Sequence, residues 1–254
     1  MTDEILLERE GRVLIITMNR PEARNAITLG MSQGMAQALD ELDGDPTLSV
    51  AVLTGAGGTF CAGMDLKAFL RGERPSIPGR GLGGMTQTPP RKPIVAAVEG
   101  CALAGGCELV LACDMITAGE TAKFGVPEVK RGLVAAAGGL FRLADRIPRQ
   151  IALEAVLTGE PISAARAFQL GLVNKLTPEG GALGAALELA RSIAQNGPLA
   201  VQASKDVFVR AQSWPVEHRF VLQRPIIDPV FASDDAQEGA KAFAEKREPQ
   251  WTAS

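Results

Sequence analysis

Two runs of consecutive apolar residues, at positions 50–53 and 94–98, constrain the fold of this chain more than any other feature. Each run has the length of a β-strand and holds no polar side chain, which is typical of a strand covered on both faces. A helical pattern runs from Thr28, a favoured N-cap residue, to Leu42, and an apolar helix begins near Gly105. We therefore predict an α/β core.

Shorter elements are expected around this core. Runs rich in β-forming residues at 5–7 and 13–16, separated by a turn glycine, predict a hairpin. Further short strands are predicted at 115–117, 122–124 and 172–176. Beyond residue 137 the pattern is otherwise helical. The predicted helix starts lie near Gly138, Pro148, Ser163, Gly181, Pro198 and Ser233.

The segment 71–93 differs from the rest of the chain in composition. It is rich in glycine and proline, and it carries four arginines and a lysine. Glycine and proline interrupt regular structure, and loops usually lie on the surface. We predict a mobile surface segment here.

Composition and charge exclude several classes of protein. The chain has 254 residues, 46% of them hydrophobic and 22% charged, as expected for a folded globular protein rather than a disordered one. The net charge of −3 argues against a nucleic-acid-binding surface, which needs a basic excess. Neither a secretory signal nor an apolar window of roughly 18 residues is visible, so we expect no membrane partner and a cytoplasmic location.

Metal chemistry is not expected from the cysteines and the histidine. The four cysteines do not form a C-x-x-C pair, and His218, the only histidine, stands in a polar stretch typical of the surface. Small buried thiols in a reducing compartment are the expected role of the cysteines. Since the chain also lacks tyrosine, Asp, Glu, Lys and Arg are the candidates for proton transfer.

Two glycine-rich loops follow the two apolar runs. The loop at 55–60 does not match the G-x-G-x-x-G dinucleotide motif, because Phe60 stands at the third glycine. The loop at 100–106 leads directly into the apolar helix, whose free N–H groups and dipole would stabilise an oxyanion. A glycine pair that lets the helix pack closely on a neighbour explains the same residues equally well.

Two glutamates stand in unusual surroundings. Glu108 lies on the apolar helix with no polar face around it, so its carboxyl group is either paired internally or tuned for proton transfer. Glu128 follows a short strand and Pro127. Taken alone, Glu128 is explained slightly better as a surface carboxylate paired with Lys130 or Arg131.

These residues belong to motifs that resemble the crotonase superfamily. Phe-Cys-Ala-Gly-Met-Asp-Leu-Lys at 60–67 is similar to its F-x-A-G-x-D-[IL]-K motif. Ala-Gly-Gly-Cys-Glu-Leu at 104–109 and Phe-Gly-Val-Pro-Glu at 124–128 resemble its next two blocks. The matches continue to Phe-Ala-Glu-Lys-Arg at 243–247, so the resemblance covers nearly the whole chain, in order.

The resemblance implies a crotonase fold, a spiral of ββα units at 1–195 with a helical oligomerisation region at 196–254. It also implies an acyl-CoA thioester as substrate, no metal or other cofactor, and a homotrimer or a dimer of trimers. By position, the backbone N–H groups of Met64 and Gly105 would form an oxyanion hole. Glu108 and Glu128 would be the catalytic acid and base. The residues implied to contact substrate or CoA are Ala62, Met64, Asp65, Leu66, Lys67, Gly105 and Lys246.

The leading hypothesis is an enoyl-CoA hydratase, because hydration of a double bond needs two proton-transfer groups. An enoyl-CoA delta isomerase is the alternative within enzymes, and it would need only one essential glutamate. A non-catalytic acyl-CoA or RNA-binding protein is the alternative of another class, against which the glutamate pair and the net charge of −3 argue.

Overall fold

A computed structural model describes residues 4–254. The strands of this region are β1 (Ile5–Glu10), β2 (Val13–Met18), β3 (Val50–Gly55), β4 (Ser76–Ile77), β5 (Gly81–Leu82), β6 (Ile94–Val98), β7 (Cys101–Leu103), β8 (Met115–Gly119), β9 (Lys123–Gly125), β10 (Ile162–Ser163) and β11 (Lys175–Thr177). The α-helices are α1 (Leu29–Gly44), α2 (Leu66–Leu70), α3 (Gly105–Ala112), α4 (Gly139–Arg146), α5 (Arg149–Thr158), α6 (Ala164–Gln169), α7 (Ala182–Ala194), α8 (Pro198–Arg210), α9 (Arg219–Leu222), α10 (Arg224–Phe231) and α11 (Asp234–Glu245). Short 3-10 helices cover Pro21–Ala23, Pro127–Arg131 and Val216–His218.

The main sheet has the strand order β1-β2-β3-β6-β8-β11. β1 and β2 form the predicted antiparallel hairpin, whereas the other neighbouring pairs are parallel. All of β6, and all of β3 except its last residue, are buried, which confirms the prediction from the two apolar runs. Because alternate side chains point to opposite faces, one face packs on α7 and the other on the core that contains α1 and α3.

A smaller sheet, in the order β10-β9-β7, positions the loops that matter for function. β7 ends at Leu103, immediately before the N-terminus of α3. The chain after β3 joins this sheet through a single bridge between Cys61 and Ala102, and a second bridge pairs Met64 with Ile27. Residues 61–64 are therefore held beside the start of α3.

Most of the predicted helix starts are confirmed. α1 begins after Thr28, whose hydroxyl accepts a hydrogen bond from the Met31 N–H at 3.0 Å, as an N-cap residue does. Beyond residue 137, α4, α5, α6, α7, α8 and α11 begin at the predicted residue or one residue after it. α9 and α10 lie within the region predicted to be helical, although no separate start is predicted for either.

The prediction of a surface segment at 71–93 is wrong for its middle part, because residues 81–86 are buried. Their glycines allow close packing: a Cβ on Gly83 would lie 2.5 Å from Leu109 Cδ2, and one on Gly84 would lie 2.8 Å from Ala36 Cβ. The strand predicted at 172–176 is also shifted, since β11 starts at Lys175. Leu172 instead follows the end of α6, where its N–H donates to Ala167 O.

The C-terminal helical region, defined here as residues 198–254, is joined to the sheet by Lys205. Its Nζ donates to Pro90 O, Lys92 O and Asp114 Oδ2 at 2.8, 2.9 and 2.7 Å. The expected division after residue 195 falls in the loop between α7 and α8, and it stays a prediction.

No helix within residues 4–254 combines the length and the apolar character that crossing a membrane requires. Large apolar side chains of the C-terminal helical region are exposed at Phe208, Val209, Val216, Phe220, Val221, Phe231 and Phe243.

Candidate active site

The loop at 61–64 leaves one backbone donor free. In the bridge between Ile27 and Met64, the Ile27 N–H donates to Gly63 O at 2.8 Å and the Asp65 N–H donates to Ile27 O at 3.0 Å. These bonds hold both peptide neighbours of Met64, yet the Met64 N–H itself donates to no group within residues 4–254. A fixed N–H without a partner can bind a ligand oxygen.

A second free donor lies beside it at the start of α3. Gly105 is the first residue of the helix, so its N–H has no partner inside the helix. A Cβ on Gly105 would lie 3.6 Å from Met64 N and only 2.6 Å from Leu82 Cδ2. A side chain at this position would have to displace Leu82, and the structure brings the two predicted N–H groups together.

The backbone conformation of Ala104 sets the direction of the Gly105 N–H. Its φ of 51° and ψ of −127° are rare for a residue with a side chain. The conformation is fixed on both sides, because the Ala104 N–H donates to Gly125 O at 2.8 Å and Ala104 O accepts from the Glu108 N–H at 3.1 Å. The turn sends the chain from β7 directly into α3 with the Gly105 N–H beside Met64.

Glu108 lies one helical turn after Gly105, so both are on the same side of α3. The residue is only 3% exposed, and its Oε1 accepts hydrogen bonds from the Ala137 N–H at 2.7 Å and the Gly139 N–H at 2.9 Å. Oε2 has no partner within the described residues. Burial raises the pKa of Glu108 to about 7, and the charge of Glu128 adds to this, whereas the two N–H groups and Arg142 oppose it.

Glu128 is the second carboxyl group of the site. It stands in the 3-10 helix after β9, and burial raises its pKa as well. Its Oε2 is buried without a hydrogen-bond partner among the described residues. The alternative of a surface pair with Lys130 is wrong, since Lys130 binds Glu160 at 2.5 Å and Arg131 acts on Glu128 only through longer-range attraction.

A buried and a partly buried carboxyl group with raised pKa values, placed near two free N–H donors, form a site that can polarise a carbonyl group and transfer protons. The chain also matches the sequence profile of the enoyl-CoA hydratase/isomerase family over residues 8–254. The chain belongs to this family.

Individual relatives agree with the family assignment. An enoyl-CoA hydratase of Mycobacterium tuberculosis, EchA19, is 45% identical over 259 residues, covering 98% of this chain and 96% of the relative. A carnitinyl-CoA dehydratase of Salmonella agona is 40% identical and covers 99% of both chains. The crystal structure of an enoyl-CoA hydratase from Mycobacterium tuberculosis superposes with a TM-score of 0.98, at 56% identity and full coverage of both chains. The predicted crotonase fold is confirmed.

Asp65, the next predicted residue, has partners inside the protein. Its Oδ1 caps α2 by accepting from the Lys67 and Ala68 N–H groups at 3.0 and 3.1 Å, and its Oδ2 accepts from Arg20 at 3.2 Å. Hydrogen bonding to the Ala68 N–H, followed by the contact with Arg20, lowers the pKa of Asp65 despite some burial. Asp65 thus fixes the chain directly after Met64.

The remaining predicted residues surround the site less closely. Ala62 is partly buried in the same loop, whereas Leu66 and Lys67 are exposed on α2. Lys246 is exposed at the end of α11 and makes no hydrogen bond or ion pair with the other predicted residues within the described chain. Their contacts with substrate stay predictions.

Several residues of the site were not found from the sequence. Ala137 and Gly139 donate to Glu108, and Arg142 donates from Nη1 to Ala137 O at 3.3 Å and from Nη2 to Thr86 O at 2.6 Å. Leu82 covers Gly105. Two sequence signals fall here, Gly138 as a predicted helix start and the glycine pair at 138–139 as part of the family resemblance, and neither indicates a donor to Glu108. Residue types do not reveal which backbone N–H groups donate to a given carboxylate, so these contacts with Glu108 could only be seen in the structure.

Proposed function

We propose that this chain is an enoyl-CoA hydratase, which adds water reversibly across the 2,3 double bond of a 2-enoyl-CoA thioester to give a 3-hydroxyacyl-CoA. The observation that supports this most is the pair Glu108 and Glu128, two carboxyl groups that interact electrostatically and both have raised pKa values. Environments that shift two acids toward neutral pH are typical of acid–base catalysis.

The thioester carbonyl would bind to the N–H groups of Met64 and Gly105. Addition of water at C3 moves electron density onto this oxygen, and two fixed donors stabilise the developing negative charge. Loss of one such donor typically lowers the rate by a factor of about 10² to 10³. Because both donors are backbone groups, this contribution depends on the shape of the loop rather than on side chains.

The two glutamates would divide the proton transfers. Glu108, ionised above a pH of about 7, would position water and take its proton on Oε2, while Oε1 remains held by two N–H groups. Glu128, whose pKa is raised by burial, would deliver a proton to C2 as the hydroxyl group forms at C3. In dehydration the same groups would work in reverse, as the carnitinyl-CoA dehydratase relatives suggest.

The surroundings of the site belong to the same proposal. Lys67 would bind CoA phosphates together with Ala62, Asp65 and Leu66, and no metal or other cofactor is needed for the chemistry described. The exposed aromatic side chains of the C-terminal helical region support a homotrimer or a dimer of trimers, in which Lys246 would reach a CoA molecule. The partner is an acyl-CoA rather than nucleic acid or a membrane, and four free thiols support a cytoplasmic location.

The test is the loss of the conjugated enoyl-thioester absorbance of crotonyl-CoA and of a longer 2-enoyl-CoA. Wild type is compared with Glu108→Gln and Glu128→Gln, each expected to lower kcat by about 10² or more. The matched control is Glu160→Gln, an exposed glutamate that binds Lys130 and should retain wild-type kcat. Loss of activity in only one of the two variants, or turnover of a 3-enoyl-CoA alone, would replace hydration by double-bond isomerisation.

A further inference from the structure

Arg142 joins two segments that contact different residues of the candidate site. It is partly buried on α4, where its Nη2 donates to Thr86 O at 2.6 Å and its Nη1 donates to Ala137 O at 3.3 Å. A planar guanidinium can bind two carbonyl oxygens at once in a fixed geometry. The distance and the relative orientation of the two segments are therefore tied to one side chain.

The first segment, residues 137–139, carries the two backbone N–H groups that donate to Glu108. The Ala137 and Gly139 N–H groups both end on Glu108 Oε1, at 2.7 and 2.9 Å. Gly138 stands between them with a φ of 104°, and a Cβ at this position would collide with Arg142 Nη1. The guanidinium thus packs on the turn that presents the two donors.

The second segment, residues 81–86, packs against α3. Residues 81–86 are buried, and Leu82 lies against Gly105 while Gly83 lies against Leu109. Thr86 is 2% exposed, and its carbonyl oxygen receives the shorter of the two Arg142 hydrogen bonds. Arg142 therefore connects the lining of Gly105 with the donors of Glu108.

We propose that Arg142 is a positioning residue for Glu108: it holds the turn at 137–139 so that both N–H groups meet Oε1, and its charge favours the ionised carboxylate. This inference rests on the proposed function, in which Glu108 accepts a proton. Arg142 touches no reacting atom in this arrangement and acts through the turn and through its charge.

The charged and titratable groups near Glu108 define what the charge of Arg142 can do. Glu128, on the neighbouring 3-10 helix, raises the pKa of Glu108, and Arg142, on α4, lowers it. The adjacent Cys107 has a pKa of about 12 and is neutral. Arg146 acts on Arg142 and on Cys113 instead. Removal of the Arg142 charge should therefore raise the pKa of Glu108 further and reduce the ionised fraction at neutral pH.

Infrared difference spectroscopy tests this without substrate. The carboxyl band that disappears in Glu108→Gln is titrated in wild type, Arg142→Met and Arg142→Lys. We expect the midpoint to rise by about one pH unit in Arg142→Met and by clearly less in Arg142→Lys, which keeps the charge. The control is Arg146→Met, which removes a cation one turn further along α4 that binds Cys113 O, and the midpoint should not move.

Kinetics on crotonyl-CoA separate positioning from folding. Both Arg142 variants should lose a factor of about 10 to 100 in kcat with little change in KM, because the turn loses its two-carbonyl anchor. The acidic limb of the kcat/KM profile should shift to higher pH in Arg142→Met and clearly less in Arg142→Lys. Equal midpoints and equal pH profiles for wild type and Arg142→Met would overturn the inference, even if the variant were less stable. Wild type that is inactive on enoyl-CoA, together with a shifted midpoint, would refute the proposed function and retain the role of Arg142.

Discussion

The surroundings of α3 and the C-terminal helical region are built in opposite ways. Around α3 the chain is buried, and Glu108 Oε1 and the backbone groups of Ala104 each have partners at fixed distances. In the C-terminal helical region, Phe208, Phe220 and Phe231 are 75%, 79% and 80% exposed. The first region places reactive groups by packing from many sides, whereas the second offers apolar surface that only another molecule can cover.

This difference gives the two regions different tolerance to substitution. Close packing transmits a small change in shape to Met64, Gly105 and Glu108, because no neighbouring group is free to move. An exposed side chain has no such neighbours, so its replacement leaves the fold of one chain intact. The predictions below test this contrast from the largest expected effect to the smallest.

Gly106→Ala should have the largest effect. A Cβ at this position would collide with Cys61 O and lie 2.8 Å from Cys61 Cβ, in the strand-like loop that carries Met64. We expect unfolding in urea to show a loss of about 3 kcal/mol or more, with a matching loss of hydration activity. Gly184→Ala on α7, where a Cβ meets nothing within 4 Å, should instead stabilise by up to about 1 kcal/mol. Equal stabilities for the two variants would contradict the close packing inferred at α3.

Glu108→Gln should lose activity and gain stability, and the gain in stability should depend on pH. The pKa of Glu108 is raised from 4.5 to about 7 in the folded chain, so the stability contributed by its protonated form is complete below pH 4.5 and is lost as the pH rises through 7. The amide side chain of the variant does not ionise, so the variant does not lose this stability as the pH rises. We expect the variant to exceed wild type by about 3 kcal/mol in unfolding free energy at pH 8, and to match it near pH 4.5.

Chemical denaturation at the two pH values measures this difference directly. Glu160→Gln, at an exposed ion pair, serves as the control and should follow wild type at both values. A Glu108→Gln variant that is no more stable than wild type at pH 8 would show that the carboxylate is not held at a cost in the folded chain.

Phe231→Asp should have the smallest effect on the chain itself. The side chain is 80% exposed on α10, so we expect the unfolding free energy of the dissociated chain to change by no more than about 0.5 kcal/mol. Its effect should be on assembly, because a buried charge at a subunit interface is unfavourable. Light scattering across a dilution series should show the variant dissociating at a higher protein concentration than wild type. Leu157→Asp, at an exposed position of α5, is the control that should keep the wild-type assembly.

The sequence by itself predicted the main strands, most helix starts and the two candidate acids. The apolar runs at 50–53 and 94–98 predicted buried strands, and the helix starts beyond residue 137 were correct, because periodicity and capping are local properties of the chain. Glu108 was identified since a carboxyl group without polar neighbours on an apolar helix is costly and needs a reason. The motifs added the family, and with it the pairing of Met64 with Gly105.

Only the tertiary structure decided how the site is held. The free N–H of Met64, the two donors on Glu108 Oε1 and the guanidinium bridge from Arg142 join residues that are far apart in the sequence. The glycines at 81–84 were interpreted as a surface loop, and they serve close approach to α1 and α3 instead. The raised pKa values of Glu108 and Glu128 also depend on which groups surround them. The physical reason is the same in each case: residue types and their spacing fix local conformation, whereas backbone hydrogen bonds, burial and charge are set by neighbours that the folded chain brings together.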